Sequence, residues 1–266
     1  MRPRFAPAGF NPNDVAFLMV LALPMAWHLG SAAPGARWQW LNRAYLLVAI
    51  LAILLTGSRS AMLLTPIALS VVPWTMTRLT GRTRVAMVAV LLVAVGVAAK
   101  FVAPAALARL ETTRTELQDG TLNNRRVIWK AGLHLFPLHP LGGVGAGGFE
   151  RAVVPFLGSE KTGHNTYLAV LLEQGLVGLA LLLLMLLAVG LHVRAAPASE
   201  RRFFIVLFFT LCVGLTPRTW QAEKQTWIIL ALLLCTERQS VAESTSREVL
   251  RLKHAAAVGL SPGGGR

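Results

Sequence analysis

One stretch constrains this chain more than any other. Residues 165–192, NTYLAVLLEQGLVGLALLLLMLLAVGLH, form a long and almost wholly apolar run. A polar cluster, His164-Asn165-Thr166-Tyr167, stands at its mouth. A helix needs about 20 mainly apolar residues to cross a bilayer, and this run exceeds that. The cluster then marks a rim where water meets membrane.

Six shorter apolar runs follow the same logic, over about 14–30, 41–56, 60–78, 85–103, 203–217 and 225–236. Of the 266 residues, 55% are hydrophobic and 14% charged, and mean hydropathy is +0.57. That excludes an ordinary soluble domain. The expected fold is all-α, a polytopic membrane helix bundle of about seven spans. Asn13-Asp14 would cap the first span, Pro24 would kink it, and Trp27, Trp38 and Trp40 would lie at one interface. The chain then divides into four spans over 1–103, an outer loop over 104–163 containing short helices, three spans over 164–237, and a disordered tail over 238–266. Cys212 and Cys235 show neither disulfide nor metal spacing and read as small buried hydrophobes. No signal peptide is evident before the first run.

Net charge is +14, from 26 basic and 12 acidic residues. In so apolar a chain this reads as loops facing the headgroups of membrane lipids, with no nucleic-acid partner. Short loops fix orientation. Arg78, Arg82 and Arg84 in one connection, and Arg194, Arg201 and Arg202 in another, belong on the cytoplasmic side. The N-terminus, Arg59, residues 104–163 and the 217–224 connection then share the outer side, and the tail lies inside. Arg59, Arg109, Arg125, Arg126 and Arg218 all fall outside, against the usual bias. A cationic outer surface suits an anionic, lipid-linked ligand.

Several residues on that side can carry chemistry. Arg59, in Thr56-Gly57-Ser58-Arg59-Ser60, is either an anion clamp or a snorkelling interfacial arginine. A guanidinium offers paired planar donors that match phosphate oxygens. Arg125 and Arg126 open an outer helix that begins around residues 121–124, runs to Phe136 and ends at Pro137 and Pro140. Cations there oppose the helix dipole, which an anion bound at the same end would offset; the alternative is a solvated basic face with Lys130. His164 is the best base candidate, since imidazole takes a proton near neutral pH and nearby arginines keep it neutral; a structural histidine is the alternative. Glu173 is an intramembrane carboxylate, either functional or paired to a neighbouring helix. The run Gly142-Gly143-Val144-Gly145-Ala146-Gly147-Gly148 lacks the strand before it and the Lys-Ser/Thr after it that a nucleotide loop needs. A backbone that must pack closely is the simpler reading. His134 and His139 lack polar neighbours, and no histidines and carboxylates show metal-ligand spacing.

In order along the chain, FNPNDVAFLMVLALP, LLTGSRSAMLL, NNRRVIWKAGLHLFPLHPLGGVGAGGFE and HNTYLAVLLEQGLVGL resemble the O-antigen ligase / O-antigen polymerase superfamily of bacterial envelope glycosyltransferases. The resemblance covers about residues 10–237. It implies an integral inner-membrane protein that transfers glycan from undecaprenyl pyrophosphate to a lipid, polysaccharide or protein acceptor, with its active face periplasmic. The family's arginine after Gly-Ser falls on Arg59. Its loop arginine, four residues before a tryptophan, falls on Arg125, with Trp129 following. Its histidine before Asn falls on His164. In that light Arg59 and Arg125 would neutralise the pyrophosphate, His164 would act as base, and Arg126, Trp129, Arg218 and Asn165 would bind substrate. No cofactor or metal is implied, because arginines can balance the pyrophosphate, and direct displacement would invert the anomeric carbon. Two departures stand out. Asn124 replaces the usual glycine before the loop arginine, and the chain begins about where the second half of a family member would, which implies an N-terminal half missing or supplied by another chain. A polysaccharide transporter and an inactive fragment are the competing classes; a transporter would show midplane charges and internal repeats, and Glu173 is the one deep charge here.

Overall fold

A computed structural model describes residues 6–32, 35–72, 80–83, 85–86, 89–90, 93 and 124–235. Among the described residues the secondary structure is helical throughout. The first three helices are α1 (Pro12–Ala32), α2 (Ala36–Thr56) and α3 (Arg59–Leu69). After residue 123 come α4 (Arg125–Leu135), a 3-10 turn (Phe136–Leu138), and two single turns, α5 (Phe149–Ala152) and α6 (Val154–Leu157). The chain then forms α7 (Thr166–Ala195), α8 (Ala198–Gly214) and α9 (Lys224–Leu234).

Three helices are long and apolar enough to cross a membrane: Pro12–Ala32, Arg37–Thr56 and Thr166–Ala195. The helices α3 and α9 are apolar but shorter. The expected fourth span, 85–103, lies almost wholly outside the described residues, as do Arg78, Arg84, Arg109, the proposed helix start at 121–123 and the tail from 238.

The core follows from how α1 is placed. It packs against α2, α3 and α8, and α8 in turn meets α3, α7 and α9. Phe17, Val20, Leu23 and Trp27 of α1 are buried together with Leu207 and Leu211 of α8 and Leu233 of α9. A second, smaller core joins α4 to α7, with Ile128, Leu135, Phe149 and Leu172 buried. The exposed leucines of α7, among them Leu181, Leu184 and Leu187, face outward as a lipid-facing helix requires.

Three local expectations need correction. Asn11 caps α1, not Asn13-Asp14: its side chain accepts from Asn13 N–H at 2.9 Å, and Pro12 opens the helix, a position where a missing N–H costs nothing. Trp27 is 1% exposed and sits in the core, unlike the exposed Trp38 and Trp40. Cys235, at the end of α9, is exposed rather than buried. Pro24 lies inside α1 without ending it.

Candidate functional site

The mouth of α7 is where the chain's polar groups converge. Asn165 is in the extended region at φ −160° and its side chain accepts from Leu168 N–H at 3.1 Å. This is an N-cap, the reason the helix starts at Thr166. Thr166 then stitches the mouth to the α8–α9 connection. Its hydroxyl donates to the Arg218 carbonyl at 2.7 Å and accepts from Trp220 N–H at 3.0 Å, while its own N–H donates to Leu215 O at 3.0 Å. Tyr167 donates its hydroxyl proton to Cys212 O at 2.8 Å. His164, just before the cap, holds a left-handed backbone at φ 48°. That is uncommon for a side-chain-bearing residue, and strain of this kind concentrates at functional sites.

Arginines reach this mouth from three other elements. Arg218 is 3% exposed. Its guanidinium lies 3.5 Å from Asp14 Oδ1, 3.3 Å from Ser60 Oγ, and 4.6 Å over the Phe17 ring. Trp220 Nε1 donates to the same Asp14 oxygen at 3.0 Å. The starts of α1, α3 and α7 and the α8–α9 connection therefore meet at one end of the bundle. These are regions that the loop charges assign to a common side. Arg125 opens α4 behind Asn124, whose φ is 64°. Asparagine is the side-chain-bearing residue that best tolerates this conformation, so the substitution for glycine costs little. Burial, and then the charge of Arg59, push the Arg125 guanidinium below its usual pKa. It remains a cation. Two half-buried arginines close enough to repel form a place where an anion is favoured.

His164 feels this field. Burial lowers its pKa first; Arg125 and Arg218 push the same way, and Asp14 and Glu150 oppose them. The imidazole is thereby held neutral at pH 7, the form that accepts a proton.

A second polar locus lies about two turns deeper along α7. α7 is broken at Gly175, with φ 68° and ψ −165°. The glycine-rich run docks on the break. Val144 N–H donates to Leu172 O and Gly145 N–H to Glu173 O, both at 2.9 Å, and Leu176 N–H donates to Pro140 O at 2.8 Å. Backbone groups freed by the break are thus satisfied by loop backbone, as non-helical chain at such depth requires. A Cβ at Gly143 would collide with the Glu173 backbone, and one at Gly175 with the Leu141 carbonyl. Close packing, the simpler reading, describes Gly143 and Gly148, whereas Gly145 and Gly147 stand at positive φ, 99° and 72°. Glu173 is 5% exposed; its Oε2 accepts from Gly147 N–H at 2.9 Å and from Gln221 Nε2 at 3.3 Å.

The structure thus gathers His164, Arg125, Arg59 and Arg218 into one electrostatic cluster. Arg126, the next residue of α4, is exposed. Trp129 donates its indole N–H to Gly163 O at 2.7 Å, directly before His164, and Asn165 is engaged as the cap. Asp14, Ser60 and Trp220 belong to the cluster and were not singled out as site residues from sequence. The Phe-Asn-Pro-Asn-Asp start carried Asp14 in plain view, read there as a cap.

Such a chain, with three membrane-length helices and an arginine-flanked histidine at one end of the bundle, is a membrane protein with a cationic site at the mouth of a helix. The family model described as O-antigen ligase matches residues 44–183, more than half of the chain, and the protein belongs to that family. The match includes Arg59, Arg125 and His164, whereas Asp14 and Arg218 lie beyond it. Membership supports a membrane glycosyltransferase of the ligase or polymerase type, acting on lipid-linked glycan and an acceptor. No curated protein matches the chain.

Proposed function

We propose that this protein transfers a glycan from undecaprenyl pyrophosphate to an acceptor hydroxyl, lipid A-core foremost, at the periplasmic face of the bacterial inner membrane. The observation that carries the reading is His164 in the combined field of Arg125 and Arg218, with Arg59 beside Arg125. Neutral His164 takes the proton from the acceptor hydroxyl as its oxygen attacks the anomeric carbon. The bond from that carbon to the pyrophosphate oxygen breaks, with inversion. Arg59 and Arg125 meet the charge that develops on the leaving pyrophosphate, so the step runs without a divalent cation. Arg218, already paired to Asp14, adds its field and holds the mouth together. Trp129 and Asn165 act by placing His164, and Arg126 faces the arriving glycan or headgroups. The same reading keeps seven spans, with α3, α8, α9 and residues 85–103 joining the three long helices.

The test is transfer in membranes containing this chain, with a labelled undecaprenyl-pyrophosphate glycan and a panel of acceptors. Arg59→Ala and Arg125→Ala are each expected to lower the rate by about 10²–10³-fold, the cost of losing one group that stabilises transition-state charge. Transfer at the wild-type rate in either variant removes that arginine from the clamp. The productive acceptor separates a ligase from a polymerase or a protein glycosyltransferase.

A further inference from the structure

We infer that Glu173 is a positioning residue, a buried brace that sets the register between the glycine-rich loop, α7 and the α8–α9 connection that carries Arg218. Its oxygen Oε2 alone receives both donors, Gly147 N–H at 2.9 Å and Gln221 Nε2 at 3.3 Å. The first donor belongs to the glycine-rich loop, which follows α4 and its Arg125 after the turn at 136–138. The second lies three residues beyond Arg218 in the α8–α9 connection. Glu173 itself sits on α7, nine residues after His164. One atom therefore ties the glycine-rich loop and the connection that carries Arg218 to the helix that follows the base.

The surrounding backbone shows why a brace is placed here. At Gly175 the helix cannot continue its own hydrogen bonds, and loop residues Pro140, Val144 and Gly145 take them over. Those bonds are between main-chain groups and join the loop to α7. The Glu173 carboxylate is the side-chain link from this junction to the α8–α9 connection. Orientation within Gln221 fits the role. A carboxylate only accepts, so the amide nitrogen must face it, which leaves the buried Gln221 Oε1 without a partner among the described residues. The connection tolerates that orphan acceptor in order to keep the Glu173 contact.

This assigns geometry, not charge or proton transfer, to the carboxylate. Both donors converge on one oxygen, so an amide oxygen in the same place accepts both. Glu173→Gln keeps the brace and Glu173→Ala removes it. The first readout is amide hydrogen exchange of the full chain reconstituted in lipid. Glu173→Ala is expected to raise exchange in peptides covering both 140–148 and 217–223, while Glu173→Gln matches the wild type. Unchanged exchange at both sites in Glu173→Ala overturns the proposal. Gln221→Leu cuts only the second donor and should raise exchange in 217–223 alone; if Glu173→Ala does not accumulate in membranes, this variant decides, and unchanged exchange in it overturns the brace.

The second readout is glycan transfer, and this arm rests on the transferase reading above. Misplacement by about 1 Å can cost about 10²-fold in rate. Glu173→Ala is expected to lose about that much, mainly in kcat, with Glu173→Gln restored to within about threefold. A Glu173→Gln protein as inactive as Glu173→Ala, with normal exchange, would show that the negative charge or a proton is needed and would refute positioning. A wild-type chain that transfers nothing defeats the transferase reading and leaves the exchange experiment to judge the brace.

Discussion

Gly175→Ala probes the break in α7 and the loop docked on it. The residue stands at φ 68° and ψ −165°, a region that essentially only glycine occupies, and forcing alanine there costs about 1–3 kcal/mol. Its new methyl group would collide with the Leu141 carbonyl. Relieving that collision means moving the loop and losing the bonds from Leu176 N–H to Pro140 O and from Val177 N–H to Leu141 O. Each is worth about 0.5–1.5 kcal/mol net. The sum is roughly 2–6 kcal/mol. Gly158→Ala is the matched control. Gly158 also has positive φ, 69°, but a Cβ there meets nothing within 4 Å among the described residues, so only the left-handed penalty of about 1–2 kcal/mol applies. Both changes stiffen the unfolded chain equally, and that contribution cancels in the comparison. The assay is thermal unfolding of the purified protein in detergent, followed by tryptophan fluorescence. Gly175→Ala is expected to melt several degrees below Gly158→Ala. Equal melting of the two would refute the claim that the loop is locked into the break.

Other expectations follow from the site. Transfer should fall as pH drops, with a midpoint below 6.5, because the folded site holds His164 below its usual pKa and protonation removes the base. Glu150 raises the His164 pKa, so Glu150→Gln should move that midpoint further down; a pH–rate profile that shifts upward contradicts the electrostatics. Asp14→Ala removes the acceptor shared by Arg218 and Trp220 and should cost about 1.5–3 kcal/mol in a melt, the range for hydrogen bonds to charged groups. Trp129→Phe keeps the ring but loses the donor to Gly163 O; it should lower kcat more than it raises KM, because His164 is placed through that carbonyl, and a pure KM effect would point to direct substrate contact.

Much of the bundle was legible because hydropathy alone dictates it. The run 165–192 appears as Thr166–Ala195, and 14–30 as Pro12–Ala32. The break at Gly175 was not legible, since a glycine inside an apolar run is common in membrane helices. Its signal was in two places at once: Gly175 in the helix, and the glycines of 142–148 that must approach it. Arg59, Arg125 and His164 were legible as types suited to an anion and a proton. Their supports were not. Arg218 meets Asp14 across 204 positions and Ser60 across 158, and no local pattern encodes such pairs. The structural tasks of Asn165 and Thr166 were not legible either: Asn165 caps α7 and Thr166 bonds to the α8–α9 connection, because a helix mouth must satisfy its own backbone.

The most direct measurement of the central claim is single-turnover transfer from undecaprenyl-pyrophosphate glycan in EDTA, comparing this chain with its His164→Ala form. Transfer is expected to persist in EDTA and to collapse in the variant. Equal transfer by both proteins, or transfer by the wild type that EDTA abolishes, would contradict a histidine base served by an arginine clamp.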